Sequence, residues 1–237
     1  MKKLLLVSLF LNIVLCVNAQ QKQLSLDALT VQNGLPDNNP RTFVQDNKGY
    51  IWIGTAYGLV RYDGYNVKIY NLTGREKDNE YHTINCLFVD HEGILWIEAG
   101  KDGFFRYNRK TDDFTQFKQE DKTKTRTREY GNFLIKEDKQ GKLWILRYPT
   151  EDNIYHLDQF NTKTGNFLNF STSTTAPNTI PVNTIFNLII DKAGRPWIGT
   201  DNGIYVFDTA SNKFKGYLTS TDTASYRAFS PVYEAPS

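Results

Sequence analysis

The four tryptophans of the chain occupy the same place in four copies of one short motif, and this repetition constrains the fold more than any other feature. Each Trp follows an Asp by six residues and a Gly by three, in the pattern Asp-x-x-Gly-x-x-Trp. The copies begin at Asp46, Asp90, Asp138 and Asp191, so they lie 44, 48 and 53 residues apart. Similar segments at a spacing of about 40–50 residues indicate a repeat architecture in which each unit packs against its neighbours.

The residues around each motif predict four β-strands per repeat. An apolar run before the Asp predicts a first strand, and the Asp-x-x-Gly segment predicts a tight turn in which the Asp carboxylate accepts backbone N–H groups. The Trp lies in a predicted second strand, where its large ring is expected to be part of the core. The third strands are predicted at residues 58–63, 103–108, 153–158 and 203–208, and the fourth at residues 67–71, 114–118, 166–170 and 213–218.

Four strands per unit predict an all-β fold, a β-propeller with four recognisable four-stranded blades. The blades are expected at about residues 38–72, 82–119, 130–171 and 183–218, with an extra N-terminal strand at residues 26–32. Residues 219–237 are expected to start an unfinished blade, so the ring is predicted to be incomplete and the chain to be a truncated product or fragment. A closed ring of four blades is the alternative.

The motifs resemble the two-component regulator propeller repeat, found in the periplasmic sensor regions of hybrid two-component histidine kinases. The resemblance covers about residues 24–218 and is carried by residues 33–38, 46–49, 51–55, 58–64 and their later copies. It implies an extracytoplasmic propeller that works with a membrane span and a histidine kinase, neither of which is recognisable in this sequence. Copies two and three depart from the pattern, because Glu98-Ala99 and Leu146-Arg147 replace the usual Gly-Thr, so these two blades are predicted to be irregular.

The N-terminus predicts secretion. Residues 4–17 form an apolar run after Lys2 and Lys3, and Ala19 precedes a predicted cleavage site, so residues 1–19 are interpreted as a signal peptide and residues 20–237 as a periplasmic propeller segment. Cleavage changes the balance of 28 basic and 26 acidic residues to zero net charge. Without net charge, the mature chain is not expected to bind nucleic acid. No membrane span is expected in this chain, because the apolar run at residues 4–17 is too short to cross a bilayer comfortably.

Ligand-binding residues are expected on the face that carries the connections between second and third strands and between blades, because loops vary while blades hold them rigidly. An oligosaccharide is the expected ligand class, since aromatic faces and polar edges suit sugar rings and hydroxyls. The candidates are Tyr57, His82, Lys101, Asp102, Arg147, Tyr148, Asp201 and Asn202, together with Arg126 and Arg128 of a basic loop at residues 122–128 that suits an anionic glycan. Ordinary solvated loops are the alternative interpretation of all of them.

Catalytic and metal chemistry find little support in the sequence. The three His residues fall in different blades, the repeated Asp residues cannot pair, and no cofactor motif occurs, so no catalytic residue, metal ligand or cofactor is assigned. The sequence therefore predicts a glycan-sensing segment without enzymatic activity, with further propeller blades or a homodimer partner as its neighbours. The alternatives are a secreted lyase using His82 with Glu98 or Glu151, another stand-alone carbohydrate-binding protein, and a nonfunctional remnant.

Overall fold

A computed structural model describes residues 28–72, 82–118, 133–149, 153–174, 176 and 178–218. The predicted signal peptide, the basic loop with Arg126 and Arg128, Glu151 and the segment 219–237 lie outside these residues. Within the described ranges, no helix has the length and apolar character needed to cross a bilayer.

The described residues form sixteen strands in four antiparallel sheets, and each sheet is built from four consecutive strands that lie side by side in chain order. Blade 1 contains β1 (Thr42–Gln45), β2 (Ile51–Thr55), β3 (Gly58–Tyr62) and β4 (Val67–Tyr70), and blade 2 contains β5 (Cys86–Val89), β6 (Leu95–Glu98), β7 (Phe104–Asn108) and β8 (Asp113–Phe117). Blade 3 contains β9 (Phe133–Glu137), β10 (Lys142–Arg147), β11 (His156–Asn161) and β12 (Phe167–Ser171), and blade 4 contains β13 (Ile185–Ile190), β14 (Pro196–Thr200), β15 (Gly203–Asp208) and β16 (Lys213–Leu218). The prediction of an all-β propeller with four four-stranded blades is confirmed.

The Asp of each motif ties its turn to the buried Trp. In blade 1, the carboxylate of Asp46 accepts the backbone N–H groups of Lys48 at 2.9 Å and Tyr50 at 3.1 Å, as the turn prediction requires. Its second oxygen accepts the indole N–H of Trp52 at 2.9 Å. The same indole bond recurs at 2.7–2.9 Å in the other three blades. Since Gly49 has φ +85°, the turn also requires the conformation that glycine adopts most easily.

The core lies between the blades. We call the contacts of blades 1 and 2, 2 and 3, and 3 and 4 the first, second and third interfaces. In each interface the Trp packs against an aromatic ring from the third strand of the following blade, and the ring centroids are 4.7 Å apart for Trp52 and Tyr107, 5.3 Å for Trp96 and Phe160, and 4.8 Å for Trp144 and Phe207. These three Trp side chains are fully buried, as core residues should be.

The innermost strands meet in sequence, β1 with β5, β5 with β9 and β9 with β13, and across the described residues the ring does not close. The predicted extra strand at residues 26–32 is wrong where it can be compared, because residues 28–30 have no regular structure and Val31–Asn33 form a 3-10 turn. Leu29 of this segment and Leu35, which follows it, pack with Ile53 and Val60 on the face of blade 1 that is turned away from blade 2. The segment thus covers a blade face through side chains and does not pair as a strand.

The third strand of blade 3 also differs from its prediction. It was expected at residues 153–158 but runs from His156 to Asn161, with Gln159 opposite Trp144. The inserted residues lengthen the connection from β10, and full burial of Leu157 and Phe160 favours the later register. As a result, Asp158 lies in the middle of a strand instead of at its end.

Two glycines at equivalent positions provide a matched test of blade packing. A Cβ atom at Gly54 would lie 2.5 Å from Ile84 Cγ2 and 2.6 Å from Thr42 Cγ2, whereas a Cβ atom at Gly199 would meet no described atom within 4 Å. We therefore expect Gly54→Ala to lower the free energy of unfolding by about 1–3 kcal/mol through overpacking. Gly199→Ala should be neutral or slightly stabilising in the same urea titration, and equal losses in both variants would contradict the packing described here.

Candidate functional site

The sequence-predicted site residues that the structure describes lie at one edge of the blades. We call this edge the loop face, because it carries the connections between second and third strands and those between blades; the opposite edge, with the Asp-x-x-Gly turns, is the turn face. Tyr57 and the pair Asp201 and Asn202 lie in second-to-third-strand turns, Lys101 and Asp102 lie in the 3-10 turn Gly100–Asp102, Arg147 ends β10 with Tyr148 following it, and His82 precedes blade 2. Arg126 and Arg128 stay predictions.

His82 and Asp102 form one local pair on this face. The Nδ1 atom of His82 lies 2.6 Å from a carboxylate oxygen of Asp102, and both side chains are largely buried. The backbone carbonyl of Asp102 accepts a hydrogen bond from the Gln116 amide at 2.7 Å. The interblade segment and the turn between β6 and β7 are thereby tied together.

A second group lies at the third interface. The rings of Tyr148 and Tyr155 meet edge to face with centroids 5.8 Å apart, and the Tyr148 hydroxyl donates to the carbonyl of Phe186 at 3.0 Å. Burial raises the pKa of both phenols, and the charge of Asp201 raises that of Tyr155 further. The Asp201 carboxylate accepts the backbone N–H groups of two residues of the interblade segment at 3.2 Å. Asp201 therefore orders the entry into blade 4.

Tyr57 and Asn202 occupy corresponding turns in blades 1 and 4. The backbone N–H of each donates to the hydroxyl of the Thr that ends the preceding strand, Thr55 at 3.0 Å and Thr200 at 3.1 Å. The Asn202 amide also donates to Tyr205 at 3.2 Å, while the Tyr57 residue is 49% exposed. Tyr57 is therefore exposed on the loop face.

The second interface contains a buried carboxylate that the other interfaces lack at the corresponding position. Glu98 occupies the place of Gly54 and Gly199 and is 6% exposed. Its two oxygens accept hydrogen bonds from the Asn85 amide and from the backbone N–H of Gly100, both at 3.1 Å. Burial raises the pKa of Glu98 to about 7, although these hydrogen bonds and the positive charge of Arg147 act in the opposite direction.

Blade 3 supplies the charged partners of this region. The Arg147 guanidinium forms an ion pair with Asp158, whose side chain is almost completely buried. The other Asp158 oxygen accepts the Asn169 amide at 2.7 Å. Since the charges of both Arg147 and Asp158 act on Glu98, the three groups form one electrostatic cluster across the second interface, which we call the interface cluster.

Sequence reasoning identified part of the interface cluster. Glu98 and Arg147 stood out because they replace Gly and Thr of the repeat, yet only Arg147 was predicted to bind a ligand. Asp158 was missed because the third strand of blade 3 was placed three residues too early, which assigned it to a strand end. Asn85 and Asn169 carry no pattern of their own, so only the fold reveals them as hydrogen-bond partners.

The raised pKa of Glu98 predicts a dependence of stability on pH. The folded protein retains the Glu98 proton at pH values where the unfolded chain, with an ordinary pKa near 4.5, has released it. The free energy of unfolding should therefore fall as the pH rises from about 4.5 to about 7, with a slope approaching about 1.4 kcal/mol per pH unit between these two values. Urea titrations at pH 5 and pH 8 should show a smaller loss in Glu98→Gln than in the unchanged protein. An identical loss in both would contradict this assignment.

Comparisons with known proteins agree with the fold and the repeat. Residues 34–57 match the family described as "Two component regulator propeller". None of the curated proteins compared with the chain matches it.

Three solved structures illustrate the similarity of the fold. The extracellular domain of a B. thetaiotaomicron protein, described as a hybrid two-component system, is 22% identical, with a TM-score of 0.51 over 78% of this chain and 22% of that one. PorZ of the Porphyromonas gingivalis type-IX secretion system is 19% identical, with a TM-score of 0.50 over 73% and 25% of the two chains. A catalytically inactive virginiamycin B lyase from Staphylococcus aureus is 17% identical, with a TM-score of 0.54 over 81% and 59%.

The chain thus spans about a quarter of the length of the first two of these proteins. Similarity at these identities establishes the propeller fold, whereas the family match rests on the segment that contains the first Asp-x-x-Gly-x-x-Trp motif. That segment is among those that carried the resemblance in the sequence. The chain carries a repeat of the two-component regulator propeller family.

Proposed function

We propose that the chain is the ligand-sensing propeller segment of a periplasmic sensor of the hybrid two-component type, and that its ligand is an oligosaccharide or another small polar molecule. The family repeat at residues 34–57 and the fold shared with an extracellular domain of such a system support this proposal. The segment itself would bind without catalysing a reaction. Kinase activity would reside outside these 237 residues.

The interface cluster is the observation that carries the proposal. In blades 1 and 4 the positions of Glu98 and Arg147 hold Gly and Thr, so the propeller does not need charges there to fold. A buried ion pair contributes little net stability, because the loss of hydration offsets much of the attraction between its charges. Recognition of a polar ligand at the adjoining loop face would explain why these charged residues are present.

Neighbouring groups on the loop face suit a sugar. The Tyr148 and Tyr155 rings of blade 3 provide apolar surface. Asp102 of blade 2 and Asn202 of blade 4 provide hydrogen-bonding groups in the two neighbouring blades. Pockets for small molecules commonly combine apolar walls with a few polar groups that fix the orientation of the ligand. A ligand that touches blades 2 and 3 together would favour one relative packing of these blades, which is how binding would shift a conformational equilibrium.

A pair of tyrosines in blade 1 allows a test with an internal control. Tyr57 lies on the loop face and is 49% exposed, whereas Tyr65 lies on the turn face and is 93% exposed. Secreted protein should be screened on an array of oligosaccharides, and the best ligand should then be titrated by calorimetry. Tyr57→Ala and Asp102→Asn should each weaken binding about tenfold, equivalent to about 1.4 kcal/mol, while Tyr65→Ala should leave it unchanged.

The same experiment separates this proposal from its alternatives. Binding that is unaffected by both loop-face variants would contradict a site on this face. Conversion of the bound compound, abolished by His82→Asn, would favour the secreted lyase, since His82 and Asp102 form the kind of pair that can transfer a proton. Failure of every oligosaccharide to bind would contradict glycan sensing.

A further inference from the structure

The second interface also contains a cleft at its opposite end, on the turn face. The cleft has a volume of about 550 Å³ and lies between the Asp90 turn of blade 2, the Gly141 turn of blade 3 and the connection after β11. Trp96 and Ile94 contribute apolar surface, while most of the lining is polar. None of the ligand-binding residues predicted from the sequence is among the residues that line it.

The second interface lacks an arginine that the first interface has at the corresponding position. In the first interface, Arg109 follows the third strand of blade 2, and its guanidinium donates to the Asp46 carboxylate at 2.6 Å. The corresponding residue in blade 3 is Thr162, whose short side chain donates to the carbonyl of Gly141 at 2.8 Å. Blade 3 therefore has no arginine at this position to reach Asp90, the counterpart of Asp46, and the volume that Arg109 fills in the first interface stays open in the second.

The same comparison singles out a cationic group in the cleft. In the first interface, Arg61 donates to the Tyr107 hydroxyl at 3.2 Å and lies 3.6 Å from the Asp112 carboxylate. Arg106 is the counterpart of Arg61, because the two pair with Trp96 and Trp52 in the same register.

The next blade offers Arg106 no equivalent partners. Phe160 stands in place of Tyr107, and Gly165 stands in place of Asp112. Within the described ranges the Arg106 guanidinium forms no hydrogen bond or ion pair, and its central carbon lies 5.9 Å from the centre of the Phe117 ring. A lining group of the cleft thus carries a charge that the described part of the protein does not neutralise.

The acidic residues of the cleft do not supply the missing partner. Asp90 accepts the Trp96 indole at 2.7 Å, and Glu137 accepts the backbone N–H of His91 at 2.8 Å and pairs with its ring. Glu92 lies 4.0 Å from the same ring and is mostly exposed. Lys139 and Lys163 also line the cleft, and among the residues that the structure describes neither ammonium group forms an ion pair. Asp90 and Glu137 thus already accept hydrogen bonds within the protein, whereas the described residues offer the Arg106 guanidinium no acceptor.

We propose that this cleft binds a small organic oxyanion, a carboxylate, sulfate or phosphate carried on a polar skeleton about the size of a hexose, with Arg106 as its principal anchor. The planar guanidinium donates two parallel hydrogen bonds to such a group, and Lys139 and Lys163 add positive charge around it. A volume of about 550 Å³ lies within the usual range of small-molecule pockets and exceeds what a bare inorganic ion needs. The site is independent of the proposed loop-face site, since it lies on the turn face and shares no residue with it.

Matched derivatives of one sugar provide the test. Glucuronate, glucose 6-sulfate and glucose 6-phosphate are titrated by calorimetry at low salt, with glucose as the neutral control and inorganic sulfate as a competitor. At least one charged derivative should bind at least tenfold more tightly than glucose, and the order among the three identifies the oxyanion. Arg106→Gln should weaken that binding at least tenfold.

Thr162→Arg is the second variant, because it restores the arginine found in the first interface. It should fill the cleft, pair with Asp90 and abolish binding, while circular dichroism shows an unchanged fold. Tyr57→Ala on the loop face should have no effect, so failure of this proposal is distinguishable from failure of the sensing proposal. Equal binding by both cleft variants and the unchanged protein would overturn the assignment. Equal affinities for the charged and the neutral sugars would also overturn it. Competition by inorganic sulfate at equimolar concentration would do the same, because the sugar skeleton would then contribute nothing to binding.

Discussion

Replacement of Trp144 by alanine is expected to lower the free energy of unfolding by about 3–5 kcal/mol, the range for truncating a large buried aromatic side chain. Trp144 is fully buried in the third interface and packs against Phe170, Phe207 and Phe214, with ring centroids 4.8–6.1 Å apart. Its indole also donates to Asp138 at 2.9 Å. The variant would therefore lose contacts with two blades and a buried hydrogen bond together, which urea denaturation followed by circular dichroism can measure.

Trp197 is the matched control, because it occupies the same motif position in blade 4. It makes the same indole bond, to Asp191 at 2.7 Å, but it is only partly buried. Its neighbours are Tyr217 of its own blade, at 5.0 Å, and the guanidinium of Arg195. Trp197→Ala should therefore cost about 1–2 kcal/mol. A loss as large as that of Trp144→Ala would mean that stability comes from the turn and not from contacts between blades.

Arg147→Ala is expected to have an effect of similar size, about 3–5 kcal/mol, because it removes the guanidinium that pairs with a buried carboxylate. Asp158 is 2% exposed, and the substitution removes the ion pair of its carboxylate with Arg147 while the hydrogen bond from the Asn169 amide stays. The raised pKa of Glu98 should rise further, since the positive charge of Arg147 lowers it. The destabilisation should thus be larger at pH 8 than at pH 5, where Glu98 is protonated.

A double variant separates the loss of the Arg147–Asp158 pair from the cost of keeping the Asp158 carboxylate buried after Arg147 is removed. Val60, Phe105 and Tyr205 occupy the position of Asp158 in the other blades, so Arg147→Leu with Asp158→Val restores an apolar interface. The double variant should recover most of the stability lost in Arg147→Ala. It should also lose the proposed glycan binding, which would assign the charges to recognition. A single variant that loses less than about 1 kcal/mol would contradict the buried ion pair.

Both proposed sites include residues of the second interface, the one between the two blades whose motifs depart from the repeat. On the loop face, Glu98 and Arg147 replace the Gly and Thr of the other copies; on the turn face, Thr162 and Gly165 replace Arg109 and Asp112. The first of these departures is visible in the motif itself. The second departure lies outside the motif. It can be recognised only after the strands of the blades have been aligned by their pairing in the structure.

The regular features of the fold could be predicted because they depend on neighbouring residues. The Asp46 turn closes within five residues, and short apolar runs predict the strands that flank it. The indole bond from Trp52 to Asp46 also spans only six residues, yet no rule of strand or turn formation predicts it. Its recurrence in all four blades explains why the motif joins these two residues at a constant distance.

The sequence by itself determined the all-β propeller, its four blades and the buried role of the tryptophans, since each follows from local periodicity repeated four times. Only the tertiary structure decided the register of β11, which depends on pairing with β10 across an insertion. It also decided which charges meet, because Glu98 and Asp158 come from different blades and interact across an interface. Contacts between distant segments depend on the packing of whole sheets, and no spacing along the chain encodes them.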